Sequence, residues 1–241
     1  MNANKPINEN ILLVGFPSNG LVGTFSISYL VHYLGMKQIG EIDQPDLPPT
    51  LFVENGEILS PIRIYKKDDI HVIMSDLPFD PYRAYDFAES VLQYCKNNDI
   101  KKIVIVSGME TINREPKSPK IYGLATHQSL EEILYENGIP KFLAGSIFGT
   151  DAAMISVFRK SKIHALILYA ECHPFFPDPE ASILAIETLA KVLNVKVDTT
   201  DIKKKMERLR IQHRNLMEET IRALQQQQQD QQKSRAPQIY R

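Results

Sequence analysis

The chain has 241 residues, 43% of them hydrophobic and 24% charged, with a formal net charge of −1. Such a composition excludes a wholly disordered or fibrous protein and fits one large domain with appendages. Two cysteines, Cys95 and Cys172, are too few for a disulfide framework and lie in no four-ligand zinc spacing, so a reducing, cytoplasmic setting is expected. The opening stretch MNANKPINEN is polar and the longest apolar runs are strand length, so neither a signal peptide nor a membrane span is expected.

In chain order, Asn10–Phe16 is a continuous apolar run closed by Pro17-Ser-Asn-Gly20, the pattern of a buried strand and a tight turn. Residues 21–34 read as a helix stopped by Gly35. Thr50–Glu54 and Ile62–Lys66 alternate and are expected to pair as a hairpin around Glu54-Asn-Gly56. Ile70–Ser75 is strand-like. From Pro81 to Asn97, Ala84, Phe87, Ala88, Val91, Leu92 and Cys95 fall on one helical stripe. Ile103–Val106 is a run of β-branched residues and is expected to be a central strand. A helix over His127–Glu136 ends at Asn137-Gly138, and Lys141–Gly145 is a short apolar stretch. Asp151–Arg159 reads as a helix with Asp151 as its cap. Ile163–Ala170 is another buried strand, and Pro179–Leu193 is an amphipathic helix begun by proline.

Strands and helices alternating at this spacing imply a mostly parallel sheet with helices on both faces. The expected fold class is α/β, a three-layer α/β/α domain over residues 7–197. A connector leads to a helix over 201–224, where Ile202, Met206, Leu209, His213, Leu216, Thr220 and Ala223 follow a heptad-like spacing that His213 and Thr220 weaken. Residues 225–241 form a tail that begins with seven glutamines in eight residues, a tract that buries nothing. Residues 201–241 hold ten Lys/Arg against five Asp/Glu, and the preceding 200 hold 18 against 24. An acidic body thus carries a basic extension, read either as a solvated helix face or as a surface for an acidic partner.

Three stretches together resemble a known family: Gly15-Phe-Pro-Ser-Asn-Gly-Leu-Val-Gly23, Ser107-Gly-Met109, and Ala170-Glu-Cys-His-Pro174 followed by Asp178-Pro-Glu-Ala-Ser182. In their order and spacing they resemble the archaeal proteasome-assembly chaperones, over about residues 10–195. The resemblance implies a layout related to nucleoside phosphorylases, self-association into homo-oligomers, no required cofactor and no catalytic activity. By their own physics, Gly15, Gly20 and Gly23 bracket a sharp strand-to-helix turn. Their spacing matches neither the dinucleotide nor the P-loop phosphate pattern. Cys172 and His173 have no third ligand nearby, so no metal site is expected there.

The sequence closes on Ile239-Tyr240-Arg241. A hydrophobic residue, a penultimate tyrosine and any last residue resemble the docking signature of proteasome activators. There, the free carboxylate reaches a lysine between neighbouring α-ring subunits of the core particle. Carried over, Ile239 is the hydrophobic contact, Tyr240 the aromatic anchor and Arg241 the bearer of the carboxylate. About fourteen flexible residues span roughly 20 Å, enough to reach a pocket beside a docked body. The expected partner is therefore the proteasome core particle through its α subunits.

Two other functional classes have candidate residues in this sequence. A nucleoside phosphorylase- or hydrolase-type enzyme would use Ser18 and Asn19 at a helix N-terminus for an anion, with Glu110, Asp151 and His173 for base or sugar. Against it, the sequence has no nucleophile elbow and no phosphate signature. Nucleic-acid binding through Lys203–Lys205, Arg208, Arg210 and Arg214 is opposed by the acidic body and by the lack of interleaved aromatics.

Overall fold

The computed structural model describes residues 10–42, 49–54, 56–111, 119–173, 176–200 and 202. In chain order they form β1 (Ile11–Gly15), α1 (Val22–Tyr33), β2 (Lys37–Glu41), β3 (Phe52–Glu54), β4 (Glu57–Leu59), β5 (Ile62–Lys67) and β6 (Ile70–Ser75). There follow α2 (Ala84–Asn97), β7 (Lys102–Glu110), β8 (Ile121–Ala125), α3 (Gln128–Glu136), α4 (Gly149–Phe158), β9 (His164–Cys172) and α5 (Pro179–Leu193). A seven-stranded sheet runs β2-β5-β6-β1-β7-β9-β8. The four inner strands β6, β1, β7 and β9 are parallel, and antiparallel pairs close both margins. The fold is α/β with a mostly parallel mixed sheet, as its alternating elements predict.

The inner strands are mostly apolar and buried because helices cover both faces. Ile11, Leu13, Val104, Val106, Leu166 and Leu168 pack with α1, α3 and α5. The alternate residues Leu12, Val14, Ile103, Ile105 and Ile167 pack with α2 and α4. The stripe predicted for α2 is buried at all six of its positions. A short 3-10 turn with Pro81 at its start leads into that helix, and the Asp80 carboxylate accepts from the Tyr82 N–H at 2.9 Å. Asp178 caps α5 by accepting from the Ala181 N–H at 3.0 Å. Beyond α5 the chain turns back over α1: the Tyr29 hydroxyl donates to the Asp198 carbonyl at 2.6 Å, and Ile202 is buried in the α1–α5 core.

The structure departs from the sequence reading at the hairpin, at β2 and β8, and at the start of α4. The Glu54-Asn-Gly56 hairpin pairs β3 with β4, in the register Phe52↔Leu59, rather than with Ile62–Lys66. A two-residue connection sets that close register, and β5 is left to pair with β6 and β2. β2 and β8 are strands that hydrophobic patterning does not announce, because both lie at sheet margins with little to bury. Helix α4 begins at Gly149 with Phe148 as its N-cap, so Asp151 is a first-turn residue and not the cap. The proposed 201–224 helix, apart from Ile202, and the 225–241 tail lie outside the described residues.

Arg63 on β5 is the one buried cation among the described residues. It meets the Asp76 carboxylate at 2.5 Å and donates to the Ser60 carbonyl and the Tyr65 hydroxyl, each at 2.9 Å. Burial disfavours the guanidinium charge, but Asp76 and Tyr65 more than offset it, so the net displacement is upward. Removing one partner of a buried pair leaves the other charge uncompensated. Asp76→Ala is therefore expected to cost about 3 kcal/mol of unfolding free energy, read from the urea midpoint at unchanged slope.

Candidate functional site

The three stretches singled out in the sequence are one structure. At the C-terminal ends of β1, β7 and β9, the Gly108 N–H donates to the Ser18 Oγ at 3.1 Å. The Asp178 N–H donates to the Gly20 carbonyl at 2.9 Å, and the His173 N–H donates to the Asp178 Oδ2 at 3.0 Å. Gly20 adopts φ 63°, and Leu21 follows at φ 53° to turn the chain into α1. A side chain at Gly23 would come within 2.5 Å of the Val106 carbonyl oxygen, and one at Gly108 would collide with the Asn19 backbone. These glycines serve turning and close backbone approach, as read from the sequence.

Beside this junction a cavity of about 270 Å³ opens at the strand ends. Asn19, Glu110 and Asp151 line it, together with Tyr169 of β9 and the loop leading into α4, which includes Phe142 and Phe148. The ends of parallel strands are where ligands enter open α/β sheets. Tyr169 is only 5% exposed, and its hydroxyl has no partner at hydrogen-bonding geometry. It and Ser107 are nonetheless close enough to the Asp151 carboxyl to act on it. Burial pushes that carboxyl above the usual carboxylate range, and Ser107 and Tyr169 pull it down by less. Burial likewise raises the Tyr169 phenol, with Asp151 adding to the effect, so it remains a donor at neutral pH.

The sign of the Asp151 shift gives a pH prediction. Its folded value lies above its unfolded one, so on raising the pH the unfolded chain releases the proton first. Stability associated with this group is full at acid pH and is lost as the pH climbs from about 4 through the folded value. Asp151→Asn, which cannot ionise, is expected to melt above the parent at pH 7 and to converge with it toward pH 4. Calorimetry across that range measures the gap.

Of the residues proposed from sequence for a catalytic site, Asn19, Glu110 and Asp151 come together around the cavity. Ser18 is engaged by the Gly108 amide, and His173 does not line the cavity. Sequence reasoning missed Tyr169 and the Phe142–Phe148 loop. The available signal was a phenol inside the apolar run IHALILYA, since buried tyrosine hydroxyls normally seek a partner. Ile239, Tyr240 and Arg241 lie outside the described residues. No described helix is long and apolar enough to cross a membrane.

With the strand order and the three-motif junction established, residues 12–217 match the sequence profile of the PAC2 family. The chain belongs to the PAC2 family. Its relatives include the uncharacterized protein MJ0106 of Methanocaldococcus jannaschii, 25% identical over 214 residues, a match covering 89% of this chain and 88% of that one. Among solved structures, Pyrococcus furiosus PbaA, an archaeal homolog of proteasome-assembly chaperone, superposes with a TM-score of 0.82 at 25% identity. That match covers 89% of this chain and 95% of PbaA. Pyrococcus furiosus PbaB, an archaeal proteasome activator, superposes with a TM-score of 0.72 at 17% identity, covering 88% of this chain and 95% of PbaB. The junction of Gly15–Gly23, Ser107–Met109 and Ala170–Ser182 lies within the span that matches the family profile.

Proposed function

We propose that this PAC2 protein acts by binding rather than by catalysis, self-associating and docking its C-terminal tails between α subunits of the proteasome core particle. The observation that carries the reading is Ile239-Tyr240-Arg241 on a chain of this family. A terminal carboxylate offers a fixed lysine a charge-assisted hydrogen bond, and the adjoining tyrosine fills a wall of the pocket. PbaA, a homolog of proteasome-assembly chaperone, and PbaB, a proteasome activator, support the choice of partner. Self-association is supported by the β3–β4 ribbon, where Val53 and Ile58 pair directly and are each more than 70% exposed. Paired apolar side chains left in water favour a protein partner.

The test is retention on immobilised core particle, comparing the full chain with one ending at Gln238. The intact chain is expected to bind in a saturable manner and the shortened chain to lose most of that retention. Equal retention of the two would remove the tail from the mechanism.

A further inference from the structure

The docking reading makes no use of the cavity at the strand ends. Two carboxyls border it, Asp151 within and Glu110 at its exposed rim, and no Lys, Arg or His is among the described residues that line it. The Tyr169 hydroxyl is buried with no partner at hydrogen-bonding geometry, and the nearby Asp151 carboxyl is the acceptor it would share with a polar ligand. Asn19, also on the lining, supplies an amide, and Phe142, whose ring lies 5.7 Å from that of Tyr169, and Phe148 add aromatic surface.

We propose that this cavity binds a small organic amine as its ammonium ion. The Asp151 and Glu110 carboxyls take the charge, Tyr169 and Asn19 give directional hydrogen bonds, and Phe142 and Phe148 cover the apolar body. Each alternative leaves a mismatch. An anion would face two carboxyls with no cation among the described lining residues to answer it. A neutral ligand would satisfy Tyr169 but gain nothing from the Asp151 and Glu110 carboxyls as charges. The first-turn position of Asp151 in α4 favours its ionised form once a cation is present. The volume of about 270 Å³ suits a small molecule of one ring with a short arm. Aromatic faces near an ammonium add cation–π attraction.

The experiment titrates the full-length protein calorimetrically with benzylamine, benzyl alcohol and benzoate. The three probes have nearly one shape and differ in charge. Benzylamine is expected to bind at least tenfold tighter than benzyl alcohol, and benzoate to give no saturable heat. Asp151→Asn is expected to weaken benzylamine at least tenfold while changing benzyl alcohol less than about twofold. Tyr169→Phe, which keeps the ring, is expected to weaken both. Glu110→Gln, at the exposed rim, is expected to weaken benzylamine alone by about threefold. Circular dichroism melts confirm that each variant is folded. If Asp151→Asn does not fold, Tyr169→Phe and Glu110→Gln decide between them. Benzoate or benzyl alcohol binding as well as benzylamine overturns the proposal. So does the absence of saturable benzylamine binding up to about 10 mM, or unchanged affinity in the folded variants. No core particle enters this assay, so its outcome is independent of the docking reading.

Discussion

Tyr240→Ala is expected to weaken retention on the proteasome core particle by about thirtyfold per tail, the loss associated with truncating a buried aromatic anchor worth about 2 kcal/mol. The substitution deletes the ring and the phenol and leaves the backbone carboxylate of Arg241 in place. A complementary change keeps every side chain and moves only the carboxylate: a few glycine and serine residues appended after Arg241. Carboxylate capture depends on the terminal position, so this extension is expected to match the loss seen on removing 239–241. If several tails engage one particle, each single-tail loss multiplies, and retention falls by more than a hundredfold. Shortening the glutamine tract by two or three residues is expected to change little, because effective concentration varies slowly with tether length. Surface plasmon resonance on immobilised core particle separates the cases. An extended chain that binds like the parent would assign the contact to the folded domain.

Gly108→Val is expected to destabilise the domain by more than about 4 kcal/mol, enough to prevent recovery of folded protein at physiological temperature. Gly108 lies near the end of β7, where the strand passes the Ser18–Leu21 turn. A Cβ there would overlap the Asn19 carbonyl and crowd the Cys172 Sγ. Neither neighbour can yield. The Asn19 backbone belongs to a turn that holds left-handed angles at Gly20 and Leu21, and that turn is tied to α5 through the Asp178 N–H and the Gly20 carbonyl. Backbone-against-backbone overlap has no rotamer to relieve it. Gly40→Ala in β2 is the matched control. Its added Cβ would sit 3.8 Å from an Ile64 methyl, an ordinary contact, and a change within about 0.5 kcal/mol is expected. Thermal melts of the two variants report whether the junction, rather than glycine content, is what the fold requires.

Much of this architecture was present in the order of the residues. Runs such as ILLVG and the stripe from Ala84 to Cys95 bury themselves wherever the chain folds, because their periodicity offers a single way to leave water. Asp178-Pro179 starts α5 through local hydrogen bonding and a preset φ, and needs no distant partner.

Other features belong to the tertiary structure alone. β2 and β8 are strands because a neighbour supplies their hydrogen bonds, and neither needs an apolar pattern to be paired. The partner of β3 was decided by a two-residue turn that favours the nearest three residues over a longer strand further on. Ser18, Gly108 and Asp178 lie 90 and 70 residues apart and meet only because β1, β7 and β9 share one sheet end. The same convergence places Tyr169 beside Asp151. Neither residue carries a local signal for the other, since a side-chain pair across a crossover depends on strand order and register, and those are fixed by the packing of the whole sheet.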